Sequence, residues 1–212
     1  MSKSQNPLTG HMRGSMANFT ALRSRSKNII RSKPFEPFDP KTEKQLEQRL
    51  KFKLLTDVYN SFGGITDTGF VENRKQLTAY NLFISTNYRL VYDKSSTNPV
   101  IDYSRLLVSK GSIPRIRVLE SILTREGIIV RFETGLELPK ASATDELTAL
   151  TMLKNGEVHI ATRERGVDAT GTIVIEYSNL NPEDVECCYL FARSINGKLS
   201  SNSTYIELKL LS

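Results

Sequence analysis

The chain has 212 residues, of which 39% are hydrophobic and 25% charged, and it carries a formal net charge of +6. This length suits one domain with a smaller appendage, so a packed core is expected over only part of the chain. No apolar run approaches the roughly 20 residues of a membrane span, and the opening residues lack the apolar core of a signal peptide. We therefore expect a protein that is made in the cytoplasm and does not associate with membranes.

The N-terminal segment carries the excess charge. Residues 1–33 contain seven basic and no acidic residues, and the remainder of the chain is close to neutral. Such a segment binds a polyanion or an acidic protein groove, although a solvated, unstructured leader is the alternative. In one extended strand the first three cations of the set would point to the same side, about 7 Å apart. The predicted contact residues are Arg23, Arg25, Lys27, Arg31 and Lys33.

Residues 1–40 are predicted to form this extended basic arm together with a proline-rich hinge. Residues 19–25 and 28–32 have the pattern of two short strands, which favours a hairpin. Three prolines between 34 and 40 then favour a stiff, extended connector. Phe35 and Phe38 lie on that connector, where they either dock into a neighbouring protein or fold back onto the chain's own core.

Residues 41–114 are predicted to be helical and irregular. The clearest helix spans 41–62, a second helical piece lies near 75–86, and turn signals interrupt 87–114. The apolar side chains of the first helix repeat every four residues and form a single face that has to be buried. These residues are Leu46, Leu50, Leu54, Val58 and Phe62.

From residue 115 the hydrophobic pattern changes to period two. Seven short strands separated by turns are typical of an antiparallel β-sandwich of the immunoglobulin or fibronectin type, so the fold class is predicted to be α+β. Alternation of apolar and polar residues predicts that each strand has one solvent-exposed face. We expect residues 115–212 to fold on their own. The predicted strands span 115–122, 127–134, 146–153, 157–164, 171–178, 184–194 and 204–210.

Residues capable of catalysis are sparse. The two histidines, His11 and His159, have no neighbours at metal-ligand or catalytic spacing. Cys187 and Cys188 are adjacent in a predicted strand, which disfavours a disulfide between them, and no basic cluster activates either thiol. We therefore predict no enzyme activity, no cofactor, no metal site and no small-molecule substrate.

Six segments of the chain carry motifs that occur together in one family: residues 31–34, 40–52, 78–83, 102–114, 141–146 and 188–208. With them the chain resembles a family of uncharacterised proteins of Bacteroidota-type bacteria and their phages. The resemblance covers nearly the whole chain and implies a phage or prophage setting without a mechanism. The closing run is also similar to the last two strands of fibronectin type III domains.

These observations lead to a functional hypothesis and two alternatives. The leading hypothesis is a structural component of a tailed-phage virion, in the head, its decoration or the neck–tail region. In it, residues 1–40 contact other virion proteins or copies of the same chain. The alternative is a protein that binds nucleic acid, such as DNA, through the arm without sequence preference. A surface adhesin is a third reading, against which the missing export signal argues.

Overall fold

The computed structural model describes residues 2–4, 13–24, 27–33, 39–72, 77–89, 99–178 and 180–210. The chain forms two compact units, Met1–Thr42 and Glu43–Ser212, which are called here the N-terminal unit and the body. The fold is mixed, with three helices and twelve strands in the described part, and most of the regular structure is β.

The N-terminal unit contains a small antiparallel sheet. Its strands have the order β1-β4-β3-β2, and β3 pairs with β4 as the predicted hairpin, which is thereby confirmed. Within the predicted basic arm, these strands satisfy one another's backbone N–H and C=O groups. The strands are β1 (Ser2–Ser4), β2 (Gly14–Met16), β3 (Phe19–Ser24) and β4 (Lys27–Ser32).

The body contains three helices that precede its sheets in the chain. The helices are α1 (Glu43–Phe62), α2 (Ile65–Gly69) and α3 (Ala79–Asn87). Thr78 caps α3, its side chain accepting a hydrogen bond from the Asn81 backbone N–H. With this cap, α3 starts four residues later than the sequence pattern predicts. A capping side chain accepts a hydrogen bond from a backbone N–H group that has no partner within the first turn of the helix.

Two four-stranded sheets make up the rest of the body. One has the order β12-β5-β6-β9 and the other β11-β10-β7-β8. All pairings are antiparallel except the short contact of β12 with β5. The strands are β5 (Arg117–Leu123), β6 (Gly127–Glu133), β7 (Glu146–Leu153), β8 (Val158–Glu164), β9 (Thr170–Glu176), β10 (Val185–Arg193), β11 (Thr204–Tyr205) and β12 (Lys209–Leu210).

Six predicted strands are therefore present, and the seventh is split in two. Residues 204–205 pair with β10, whereas 209–210 pair with β5 in the other sheet. The alternating side chains of both sheets contribute to one hydrophobic core. The immunoglobulin-like or fibronectin-like form of this pair of sheets stays a prediction.

The sheet β11-β10-β7-β8 is buried on both faces at its centre. Every second side chain of β10, including Cys188 and Leu190, lies in the core that this sheet shares with the other sheet. The other side chains of β7 and β10 pack against the helices. They are Leu150, Met152, Cys187, Tyr189 and Phe191, and their helical partners include Leu55, Val58, Phe62 and Phe83. The prediction of one solvent-exposed face per strand is therefore wrong for β7 and β10, because helices cover the second face.

The apolar ridge of α1 is only partly buried. Val58 and Phe62 lie in the core beneath the helices, but Leu46 and Leu50 are 49% and 40% exposed. With 3.6 residues per turn, each step of four residues rotates the side chain by about 40° around the helix. Over the full ridge the two ends therefore face different directions, and only the C-terminal end faces the sheet.

The sequence pattern led to the expectation that 115–212 folds on its own, and the shared core of the helices and sheets leads to a different prediction. We expect residues 43–212 to unfold in one cooperative transition, whereas residues 115–212 alone will lack native packing. Without the helices, four large side chains of β7 and β10 would face water, at about 1.5–3 kcal/mol each. That total is comparable with the whole stability of a typical domain. Near-ultraviolet circular dichroism and dye binding of both fragments measure this, and a native-like, cooperative 115–212 would contradict it.

Candidate functional site

The predicted contact residues lie in or near the N-terminal hairpin. Arg23 belongs to β3, Lys27 and Arg31 belong to β4, and Lys33 follows β4 directly. The side chains of Arg31 and Lys33 are exposed. Arg25, and the two aromatic residues Phe35 and Phe38 predicted to dock, lie outside the described residues.

The hairpin changes the arrangement that the sequence predicted for these cations. Ser24 pairs with Lys27, so the chain reverses direction between β3 and β4. The predicted row of three cations along a single strand requires a continuous strand over 23–27, which the structure does not have. Arg31 instead pairs with Thr20 on the neighbouring strand, so the backbone positions of the basic residues are distributed over a sheet.

The N-terminal sheet has no buried side chain among those described between residues 13 and 33. Its apolar residues form cross-strand pairs, Ala21 with Ile30 and Leu22 with Ile29, and all four are only half-buried. Adjacent pairs of a ladder point to opposite faces of the sheet, so each face carries one apolar pair. A small sheet is stable when it has a hydrophobic face or packs against another element. The N-terminal sheet combines cations with apolar side chains that are only partly buried.

The two cysteines are buried in different parts of the body and are not bonded to each other. Burial raises the pKa of Cys187 and of Cys188 to about 12, and hydrogen bonds only partly oppose this effect. The thiolate is the nucleophilic form of cysteine. Both thiols therefore stay neutral and unreactive near pH 7.

His159 takes a packing role in the described part of the body. Its ring lies against Tyr177 with the ring centroids 4.4 Å apart, and the residue is half-buried. The contact arises because β8 and β9 adjoin at the edges of their sheets. His11 lies outside the described residues.

Three loops of the body meet at one end of its sheets. Glu146 pairs with both Glu164 and Arg193, so the loops 134–145, 165–169 and 194–203 begin or end at that level. The two most exposed large hydrophobic side chains in the described part of the chain lie there, Val167 at 78% and Ile195 at 77%. Loops grouped at one end of a rigid scaffold are common binding positions.

A buried ion pair fixes two of these loops to each other. Arg165 and Asp145 are almost completely buried, with Arg165 Nη2 3.2 Å from Asp145 Oδ2. Arg165 Nη1 donates to the Thr134 carbonyl, and Asp145 Oδ2 accepts from the Ser142 N–H. Burial lowers the pKa of the Arg165 guanidinium and the Asp145 carboxylate opposes that shift. The buried pair therefore fixes the loop that contains Asp145 to the loop that contains Arg165.

An open cavity of about 380 Å³ lies beside this pair, between β7, β8, β10 and the loop after β10. The cross-strand row Glu164, Glu146 and Arg193 contributes to its lining. Arg193 Nε is buried and has no hydrogen-bond partner in the described part of the chain. Gly197 has a φ of +66°, a left-handed backbone conformation, so this loop position favours glycine. The cavity thus offers charges of both signs.

A polar junction that the sequence analysis missed ties the helical segment to the end of the chain. Glu72 Oε1 accepts hydrogen bonds from the N–H groups of Ser112 and Ser200, at 2.7 and 3.1 Å. Ser109 Oγ donates to the carbonyls of Gly69 and Ser201. The available signal was the concentration of serine in residues 109–112 and 200–203. These hydroxyls act as structural partners of the backbone.

Within the described ranges, no group of three or more histidine, cysteine or acidic side chains is placed to hold a metal ion. No described helix is long and apolar enough to cross a membrane.

A family of unknown function (DUF6266) matches residues 13–207, a span that includes β2, β3, β4 and nearly all of the body. No curated protein matches the chain.

The raised thiol pKa values predict that both cysteines resist alkylation. In the folded protein between pH 7 and 9, we expect iodoacetamide to label Cys187 and Cys188 far more slowly than a free thiol. A pKa of about 12 leaves little thiolate, and burial blocks access. Mass spectrometry after labelling, with protein unfolded in guanidinium as the control, measures this. Rapid labelling of the folded chain would contradict the assignment.

The buried ion pair predicts a large effect when it is broken on one side only. We expect Arg165→Met to lower the free energy of unfolding by about 3–5 kcal/mol, because Asp145 would remain buried without its cation. Adding Asp145→Asn should restore part of the loss. Denaturant unfolding of the two single variants and the double variant gives the coupling energy. Strictly additive effects would show that the two residues do not act as a pair.

Proposed function

We propose that this chain, which belongs to the family of unknown function DUF6266, is a non-enzymatic assembly protein that binds its partners through its N-terminal sheet. The observation that carries the proposal is the state of that sheet. Its described side chains are at most half-buried, and its segment has cations without acidic residues. A partner with an acidic and partly apolar surface would satisfy both properties.

The contacts of the sheet explain why a partner is needed. Leu22 and Ile29 lie opposite each other in the ladder and are only partly buried. Covering such pairs gains roughly 25 cal/mol for each Å² of apolar surface. Arg31 and Lys33 are exposed next to them and supply positive charge. Charge of this kind guides association and selects the partner.

The body supports the proposal as a platform for assembly. If β5 to β11 are lettered A, B, C, C′, E, F and G, one sheet is A-B-E with the short strand β12 beside A, and the other is C′-C-F-G. This strand order supports an immunoglobulin-like or fibronectin-like body. Such domains commonly serve in recognition, but fold alone does not determine function. The helices that cover strands C and F would distinguish this body from a two-sheet sandwich that has no additional helical layer.

The setting that we propose is the particle of a tailed phage, in the head, its decoration or the neck–tail region. The resemblance of the sequence motifs to proteins of Bacteroidota-type bacteria and their phages supports this setting. The partners would be other virion proteins or further copies of this chain.

A second candidate function is sequence-independent binding of nucleic acid by the same unit. The excess of cations in residues 1–33 favours it. An arm that neutralises about five phosphates would give a log–log salt slope of about −4 to −5 on duplex DNA. A binding curve that does not depend on salt would exclude this candidate.

The proposal predicts that incorporation into particles depends on the N-terminal unit. We expect full-length protein in purified virions by mass spectrometry. Deletion of residues 1–42 should abolish its incorporation, and Arg31→Glu/Lys33→Glu should weaken it, because both changes remove the basic contact surface. The matched control is Lys154→Glu/Lys198→Glu, which changes the same charge at exposed positions of the body.

Absence of the full-length chain from virions would exclude the virion setting. Incorporation of the deletion variant at the normal level would exclude the N-terminal sheet as the contact.

A further inference from the structure

The body contains two Asn-Gly sequences, Asn155-Gly156 in the turn between β7 and β8 and Asn196-Gly197 in the loop after β10. Asparagine before glycine can deamidate without an enzyme. The glycine backbone nitrogen attacks the asparagine Cγ and loses its proton, a Cγ–N bond forms, and the bond from Cγ to Nδ2 breaks to release ammonia. Water then opens the resulting succinimide ring and leaves aspartate or isoaspartate.

The backbone geometry is nearly the same at the two sites. Both asparagines are exposed, and both glycines have a positive φ, +87° at Gly156 and +66° at Gly197. Each glycine N–H donates to the carbonyl of the residue three positions earlier, at 2.8 Å. Each asparagine Oδ1 accepts at 2.9 Å from the N–H of the residue two positions later. A difference in the rate of deamidation therefore has to come from the remaining contacts.

The hydrogen bonds of the two side-chain amides differ. Asn155 Nδ2 donates to Glu157 Oε2 at 2.9 Å, so its leaving group is held beside a carboxylate. Asn196 Oδ1 instead has a second donor, Ser194 Oγ at 2.8 Å. That hydroxyl also lies 3.2 Å from the Leu199 carbonyl, and its one proton goes to the nearer acceptor. Negative charge develops on Oδ1 when the glycine nitrogen attacks, and donors already directed at that oxygen stabilise it.

The charges beside the two glycines also differ. Arg193 Nη2 lies 2.5 Å from the position that a Cβ would take on Gly197, so the guanidinium group is packed beside this residue. In the described part of the chain, no atom beyond the flanking residues lies within 4 Å of the same position on Gly156, and the residue that follows it, Glu157, is acidic. Loss of the glycine proton leaves negative charge on the nitrogen, which a nearby cation stabilises and a nearby carboxylate destabilises.

We propose that Asn196 is a site of spontaneous deamidation in the folded chain, whereas Asn155 is protected. The product adds a carboxylate to the wall of the open cavity beside Arg193, which already contains Glu146 and Glu164. Isoaspartate also lengthens the backbone of the loop after β10 by one atom. The loop end of the body therefore changes its charge as the protein ages. This inference does not depend on the function proposed for the N-terminal sheet.

The first test follows both sites in the full-length chain at mildly alkaline pH by peptide mapping and mass spectrometry. We expect Asn196 to deamidate at least about tenfold faster than Asn155 in the folded chain, which corresponds to about 1.4 kcal/mol in activation free energy. In guanidinium the two rates should converge, because the contacts that distinguish the sites are lost. Deamidation of Asn155 at an equal or higher rate in the folded chain would overturn the proposal. So would an intact Asn196 in the folded chain after the unfolded chain has been fully converted.

The second test removes the groups that favour the reaction at Asn196. Ser194→Ala should slow this site by about 3- to 10-fold, the effect of one neutral hydrogen bond. Ser194→Thr keeps the hydroxyl and is the matched control, which should react at the wild-type rate. Arg193→Gln removes the cation and should also slow the reaction. Circular dichroism and thermal melting confirm that each variant is folded. A rate at Asn196 that is unchanged or higher in both Ser194→Ala and Arg193→Gln would overturn the proposed cause.

Discussion

The body depends on the burial of the sheet β11-β10-β7-β8 from both sides. Most side chains of strands β7 and β10 are buried, and apolar side chains lie on both faces of these strands. One face closes against the other sheet and the second closes against α1, α2 and α3. The helices are thus part of the hydrophobic core of the body, and their position along the chain before the sheets does not make them a separate domain.

The double burial also explains why the polar junction is necessary. The chain passes from the helical layer to the sheets through residues 106–116, and this connection is partly buried beside residues 200–203. Buried backbone groups there require partners. Serine hydroxyls and the Glu72 carboxylate supply them, for example where Ser203 Oγ accepts from the Val108 N–H. Small side chains are needed because a Cβ on Gly111 would lie only 2.1 Å from the Ser200 carbonyl oxygen.

Local sequence pattern predicted the elements well but not their environments. The period-two pattern located six of the strands of the body, and the four-residue repeat located α1. The same patterns misjudged burial, because whether a second layer covers β10 depends on contacts between residues far apart in the sequence. For the candidate site, the sequence identified the basic residues around the hairpin. It could not show that Ser24 pairs with Lys27, which distributes the cations over a sheet, or that Arg165 and Asp145 meet inside the loop end.

The neighbouring positions of Cys187 and Cys188 have a consequence for the motions of the body. One side chain lies under the helices and the next lies between the sheets, so a single peptide unit spans the boundary between two cores. A fluctuation that lifts only the helical layer would uncover the first sulfur and leave the second enclosed. Separation of the two sheets would do the reverse. Local openings of a folded protein differ in free energy from one region to another. In this chain, the sulfur atoms of two adjacent residues on β10 distinguish an opening of the helical layer from a separation of the sheets.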